Sequence, residues 1–565
     1  MNEDEAGGSA GSAADRNPLF EDGGPLADPL ERRAIFAALD SFRQYRKTTH
    51  YNTTHRRRQN LYALPSTQWQ MLAAPPISLL DTLSAVDDAI DCNADLADAI
   101  YEVGLASFGL SDDEETPSST STKQHNPDWN WHGKAKPNDI SKAQSTIRQF
   151  YRDWTAQGFT LEVQPLLNTI LADLETYLPL RPKPRPDVDT TNTTTTESES
   201  HDNHNHNSDD FSSPPSLLLP GAGLGRILFE LCLHGYSATG NEISYHQLLA
   251  SNFILNCTRH ADQFAIYPFA HSFTNVVSRD HQLKRFTVPD VHPATAMAER
   301  ARARAQSARD EQSVRAEQSA RDEQSPTEPE TVIGERQQSL SQSQSQSQTD
   351  TEVPIPVGEM NMTAGDFVLS YSGPDTANTF DGVISVFFID TAPNLIRYIE
   401  TVKNCLKQGG YWINIGPLLW HFDDRGPATS QSKSTSSTSG RKGAGDATTS
   451  NDSDDDDDDD DDDHDEETPN PNDGKDSEDY QDKGIAEPGS FELSVDEVLH
   501  LVSKLGFEIQ RHEINTTATT STSTSTSTSS PAHGHSHGSG LGYMQDPESL
   551  LQNRYRCSHW VARKL

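Results

Sequence analysis

The stretch Leu217–Glu242, LLLPGAGLGRILFELCLHGYSATGNE, constrains the fold of this chain more than any other. It reads as a short apolar strand, a glycine-rich turn, a helix and a second strand that ends in an acid. Glycines at 221, 223 and 225 allow backbone conformations and close approaches that a side chain would block. A strand running into such a turn and then a helix places N–H groups and a positive helix end at the strand's carboxyl edge. Ligands of open α/β sheets bind at that edge. Glu242 ends the next strand about twenty residues on, where a carboxylate can accept hydrogen bonds from both hydroxyls of an adenosine ribose. The bland alternative is a tight structural turn with Glu242 at the surface.

Downstream the strand–helix rhythm continues. The helix SYHQLLASNFILN is followed by MTAGDF, the strand DGVISVFFID, the helix NLIRYIETVKNCLKQGG and the strand YWINIGP. The helix SVDEVLHLVSKLG and the strands FEIQRHEI and YRCSHWVARK complete the series. Alternating β and α elements predict a parallel-type sheet with helices on both faces. Upstream, LERRAIFAALDSFRQYRK and LEVQPLLNTILADLETYL repeat apolar residues at three- and four-residue spacing, which predicts an all-helical region.

Four polar blocks interrupt this pattern, and only 33% of the 565 residues are hydrophobic. Such blocks bury too little apolar surface to offset chain entropy, so they are expected to be disordered. The expected division is a disordered terminus over 1–29, a helical region over 30–181, a disordered insert over 182–215 and the sheet domain over 216–565. Further inserts break that domain near 295–353, 425–488 and 516–540. The net charge of −40 owes much to the aspartate run Asp454–Asp463, and it offers no basic surface for nucleic acid. The basic segment 42–58, FRQYRKTTHYNTTHRRR, is read as a solvated helix face or a homodimer surface rather than an RNA site. HDNHNHN and HGHSHG suggest adventitious zinc at most, so no metal is assigned.

Five scattered cysteines without a C-x-x-C pair fit a reducing compartment. No run of eighteen apolar residues predicts a membrane span, and the acidic N-terminus predicts no signal peptide. The expectation is a soluble cytoplasmic protein, with the nucleus as a second compartment.

The glycine spacing G-A-G-L-G departs from the dinucleotide pattern G-x-G-x-x-G and favours S-adenosylmethionine. Asp366–Phe367 is placed to bracket an adenine, and Gly409–Ile415 reads as the glycine turn into a fifth strand. An oxidoreductase is the least favoured reading.

Taken together, PGAGLGR, GNE, SNFILN, MTAGDF, FFIDTA, GPLL-HF and the early QFYRDW resemble the carnosine N-methyltransferase family, in order from about Phe42 to Lys564. The resemblance implies a class I methyltransferase, Rossmann-like α/β sheet that moves a methyl from S-adenosylmethionine to the imidazole of a histidine-containing dipeptide. It assigns Gln149, Arg152, Gly221, Gly223, Glu242, Asp366 and Phe367 to the cofactor. It assigns Phe387, Phe388, Ile389, Asp390, Thr391, His421 and Tyr555 to the substrate, with Asp390 and His421 catalytic. In that scheme Asp390 anchors the dipeptide ammonium, His421 bonds the remote ring N–H as base, and Phe387, Phe388, Trp412, Trp420 and Phe422 line a dry pocket. A neutral imidazole is already a nucleophile, so positioning and a proton acceptor are what an enzyme must add. FFIDTA stands where methyltransferases of DNA bases or glutamine carry an N/D-P-P-Y/F turn, which argues against that class. A peptide or protein histidine methyltransferase and a non-catalytic scaffold remain as alternatives.

Overall fold

A computed structural model describes residues 24–110, 130–180, 214–322, 358–421, 491–514 and 541–565. The aspartate run, both histidine-rich blocks and Phe422 lie outside these residues. Among the described residues nine strands follow in chain order: β1 (Ser216–Pro220), β2 (Ser237–Glu242), β3 (Phe264–Ile266), β4 (Phe286–Val288), β5 (Met360–Ala364), β6 (Phe380–Val386), β7 (Leu406–Gly416), β8 (Phe507–Ile514) and β9 (Ser558–Lys564). Seven of them form one sheet in the order β5-β2-β1-β6-β7-β9-β8, while β3 and β4 pair as a separate hairpin. All neighbours in the large sheet are parallel except those of β9, which runs antiparallel to β7 and to β8. Numbered within the sheet alone the order is 3-2-1-4-5-7-6, a class I methyltransferase arrangement. The strand order reverses beside β1, and that is where a cleft opens at the carboxyl edge.

The short apolar strands bury both faces, as parallel strands under two helical layers must. Leu218, Val383, Trp412 and Trp560 point to one face, against Ile399 and Val402 of the helix Leu395–Cys405 and Val498 and Val502 of the helix Val495–Lys504. Leu217, Leu219, Ile384, Ile413 and Val561 point to the other, against Ile170 and Leu174 of the helix Gln164–Tyr177 and Leu228 and Leu231 of the helix Arg226–Leu233. Alternate residues of one strand feed different cores, as the period of two requires. Asp173, 1% exposed, fastens the Gln164–Tyr177 helix to the sheet edge by accepting from Arg511 Nη1 at 2.9 Å and meeting His559 Nε2 at 2.6 Å.

The helical region packs as a third body of core. The helix Pro29–His50 starts at Asp28, whose Oδ1 accepts the Leu30 N–H at 2.7 Å, with Pro29 in the first turn. Its Ile35, Phe36, Leu39 and Phe42 meet Leu96 and Ile100 of the helix Leu79–Ser107. The helix Pro137–Trp154 joins them through Ile147, Phe150 and Trp154, and the same core reaches Leu224, Phe229 and Leu249 beside the glycine turn. Arg226, 4% exposed, ties the bodies together: it donates to Asp153 O at 2.9 Å and forks onto Asp290 at 2.6 and 3.1 Å.

Three expected boundaries move. The helix after β6 ends at Cys405, so Leu406–Gly410 belong to β7, where Gly409 at φ +77° and Gly410 accommodate a register shift against β6. FFID is not strand: β6 stops at Val386 because Phe387 adopts φ +52°, and Ile389–Thr391 form a 3-10 turn. The insert expected from 295 begins inside a helix, Pro293–Asp322, whose first turns pack Ala296 and Met297 on the core.

His50 carries a pH prediction. Its Nδ1 meets Asp87 at 2.9 Å and its Nε2 meets Asp91 at 3.0 Å, so both ring nitrogens face carboxylates. Partial burial lowers its pKa, but the bonds to Asp91 and Asp87 and their charges outweigh burial and raise it above the ordinary value. A raised histidine pKa stabilises the fold below the unfolded value near 6.5 and ceases to as pH rises through the folded value. The Tm gap between wild type and His50→Gln is therefore expected to be widest near pH 6 and to shrink at pH 9. A gap that widens with pH would contradict the pairing.

Candidate active site

The glycine turn is built for contact. Gly221, Gly223 and Gly225 all adopt left-handed backbone, with φ of +68°, +55° and +76°. A Cβ on Gly221 would stand 2.7 Å from the Phe388 ring, and one on Gly223 would stand 3.1 Å from Gln149 Nε2. Conformation and space both demand glycine here. The turn is braced from β2 by Ala222 N–H donating to Asn241 O at 3.0 Å, and from the helical region by Trp154 Nε1 donating to Leu224 O at 3.1 Å.

Glu242 ends β2 and is 8% exposed. Its Oε2 accepts the Gly223 N–H and its Oε1 accepts those of Ile243 and Ser244, each at 2.9 Å. Burial raises its pKa, against the three N–H donors. Asp366 follows β5 and caps the helix Phe367–Tyr371 by accepting the Leu369 N–H at 2.9 Å. Phe367 stands edge-on to Phe388 at 5.5 Å and to Tyr398 at 5.4 Å, and Phe388 stacks on Tyr398 at 5.0 Å. Tyr398, from the helix after β6, thus completes an aromatic wall that sequence reading did not include. Its place in an apolar helical repeat looks like core.

The Pro137–Trp154 helix delivers Gln149 and Arg152 from the opposite side. Gln149 donates to Asp153 Oδ2 at 3.1 Å and accepts from Gln247 Nε2 at 2.9 Å. Arg152 donates Nη1 to Asp153 Oδ1 at 2.9 Å, lies 4.9 Å from the Tyr543 ring centre, and pairs its buried Nε with Glu162 Oε2 at 3.8 Å, beyond hydrogen-bond distance.

These elements enclose a cavity of about 380 Å³ lined by Gln149, Arg152, Gly221, Gly223, Glu242, Asp366, Phe367, Phe387, Phe388, Thr391 and His421, together with Tyr398 and Tyr543. All seven residues assigned to the cofactor line it. Ile389 and Asp390 do not. Asp390 is 3% exposed; its Oδ2 accepts the Leu419 N–H and its backbone O accepts the His421 N–H, each at 3.1 Å. Burial raises its pKa, opposed by the Leu419 N–H and by His421. Asp390 thus braces the segment that presents His421, and it is not itself among the residues that line the cavity. Trp412 is core, 4.6 Å from Trp560, and Trp420 donates Nε1 to Leu493 O at 3.2 Å; neither lines the cavity.

Tyr555 is not among the lining residues and stands edge-on to Phe387 at 6.1 Å, while Tyr543 packs on Phe387 at 5.1 Å and lines the cavity.

A glycine cradle, a buried acid at the end of β2, and an acid and a ring after β5 suit an adenosyl group. The family model of carnosine N-methyltransferase matches residues 195–318 and 335–565. The chain belongs to the carnosine N-methyltransferase family. It is an S-adenosylmethionine-dependent methyltransferase. Similar relatives include the carnosine N-methyltransferase of Schizosaccharomyces pombe, 28% identical over 72% of this chain and 82% of the relative. That of Rattus norvegicus is 28% identical over 74% and 78%. Among solved structures, a SAM-dependent methyltransferase from Methanosarcina mazei is 14% identical over 63% of this chain and 94% of that one, with a TM-score of 0.24. The glycine turn, Glu242 and His421 all line the one cavity.

Proposed function

We propose that this chain methylates the imidazole of carnosine or a closely related histidine-containing dipeptide. The observation that carries the reading is the single cavity shared by the cofactor residues and by His421, in a chain of the carnosine N-methyltransferase family. S-adenosylmethionine supplies an activated methyl on a sulfonium, which needs no further electrophilic activation. Gln149, Arg152, Glu242 and Asp366 would hold it, with the glycine turn against its backbone-facing side. The dipeptide's neutral ring nitrogen is the nucleophile, so the chain's own task is orientation and proton removal. Phe387 and Tyr543 present ring faces that exclude water from the acceptor side. His421 accepts the proton from the remote ring nitrogen, which leaves the methylated imidazole neutral. Asp390 acts through the backbone by fixing where His421 stands.

Purified protein incubated with labelled S-adenosylmethionine and carnosine is expected to yield methylated carnosine. Binding of the cofactor with no transfer to carnosine would overturn the substrate assignment, and transfer to histidine-containing peptides instead would redirect it.

A further inference from the structure

The wall that carries Tyr543 is part of a strap, residues 541–557. Leu541 and Tyr555 exchange both backbone hydrogen bonds at 2.9 Å and close its base. Inside it, Gln545 accepts the Asn553 N–H and donates to Asp546 O and Leu551 O, while Gln552 donates to Asp546 O and Ser549 O. A loop braced by its own side chains moves as a unit, so its position depends on a few attachments. On its outer side Leu550 N–H donates to Asn275 O at 2.8 Å, and Glu548 pairs with Lys284 and His281 through side chains that are each at least a third exposed. On its inner side Arg148 Nη2 donates to Met544 O at 3.0 Å.

The other inner attachment is buried. Glu162, 3% exposed, accepts the Met544 N–H on Oε2 at 2.7 Å and the Gln545 N–H on Oε1 at 2.8 Å, and its Oε2 also lies 3.8 Å from Arg152 Nε. It lies in a π-helical turn, Phe159–Val163, in which Leu161 stays 43% exposed while Glu162 is carried inward. Extra-wide turns of this kind recur where a helix must re-aim a side chain. Met544 has φ +50°, a left-handed conformation that a long side chain adopts only when its surroundings impose it. Two successive N–H groups around such a residue form a concavity that fits one carboxylate, and Glu162 fills it. Gly542 leaves the room: a Cβ there would stand 3.3 Å from Glu162 Oε1.

We propose that Glu162 is a positioning residue for methyl transfer. Its two bonds hold Met544 left-handed, and that conformation sets Tyr543 between the Arg152 guanidinium and the Phe387 ring, completing the acceptor side of the cavity. A glutamine at 162 presents an N–H to one of two N–H donors, so it breaks the clasp without changing size. Loss of the clasp lets Met544 relax and takes Tyr543 out of the wall. The kinetic part of this proposal rests on the carnosine reading; the structural part does not.

The test compares wild type, Glu162→Gln, Tyr543→Ala and the double variant, as full-length protein. Glu162→Gln is expected to raise amide hydrogen exchange across 541–555, to raise KM for carnosine about ten-fold, and to leave kcat within about three-fold, the pattern of lost uniform binding. In the Tyr543→Ala background the same substitution should have no further effect on KM, since coupled residues are non-additive. Adding Met544→Asn to Glu162→Gln should recover part of the KM, because asparagine accepts the left-handed conformation more readily. If Glu162→Gln does not fold, Glu162→Asp keeps the charge, draws both oxygens back by one methylene, and is expected to shift exchange and KM in the same direction. Unchanged exchange across 541–555 overturns the clasp, whatever the substrate. Raised exchange with additive KM effects overturns its role in positioning. Should wild type not methylate carnosine, raised exchange across 541–555 still supports the clasp while the substrate reading alone fails.

Discussion

Replacing His421 with alanine is expected to lower kcat by about 10²- to 10⁴-fold, the usual contribution of a positioned general base, while cofactor affinity stays close to wild type. His421 lines the cavity, and its backbone N–H is held by Asp390 O. The imidazole to be methylated becomes cationic as the new N–C bond forms. Without an acceptor for the remote proton the product leaves as the less stable charged species, and the barrier to its formation rises. His421→Gln separates proton transfer from space filling, because the amide fills the site without accepting a proton at neutral pH. Both variants are therefore expected to be slow. A His421→Gln enzyme with kcat within about three-fold of wild type would remove His421 from the chemistry. Asp390→Asn provides an independent line: the amide can still accept the Leu419 N–H through its oxygen, so it should be milder than Asp390→Ala, which removes that acceptor and frees the His421 segment.

The second large effect concerns Glu242, which lines the same cavity. Glu242→Ala is expected to weaken S-adenosylmethionine binding by about 10²- to 10⁴-fold. A hydrogen bond to a charged group contributes about 1.5–3 kcal/mol, two ribose hydroxyls meet one carboxylate, and each 1.4 kcal/mol is tenfold in affinity. Glu242 also accepts three backbone N–H groups, so its loss loosens the glycine turn as well. Calorimetric titration with the cofactor, alongside the ligand-free Tm, resolves the two contributions. A Tm drop with affinity within about three-fold of wild type would make Glu242 a brace of the turn and not a ribose ligand.

Much of this site was legible without coordinates, and the reason is locality. Gly221, Gly223 and Glu242 announce themselves because the left-handed turn and the strand-end acid are properties of a few adjacent residues. The β–α alternation likewise follows from periods of two and of 3.6, which neighbouring residues set by themselves. QFYRDW marked Gln149 and Arg152 through resemblance, and both line the cavity. Those features carried the fold class and the cofactor end.

The acceptor end was decided by tertiary structure. Asp390 and His421 look like equal partners in the sequence, yet His421 lines the cavity while Asp390 is spent on the Leu419 and His421 N–H groups, in a segment that leaves the strand at the left-handed Phe387. Tyr543 gave no signal in the sequence: it enters the cavity wall on a strap whose buried clasp joins residues 382 and 383 positions apart. Glu162 itself gave no signal, since a glutamate on an apolar-periodic helix reads as its solvent face until a wider turn and a distant pair of N–H groups bring it inside. Local backbone preference chose the strands, helices and glycine turn; which side chains share the cavity depended on contacts between segments far apart in the chain, whose geometry exists only once the cores have packed.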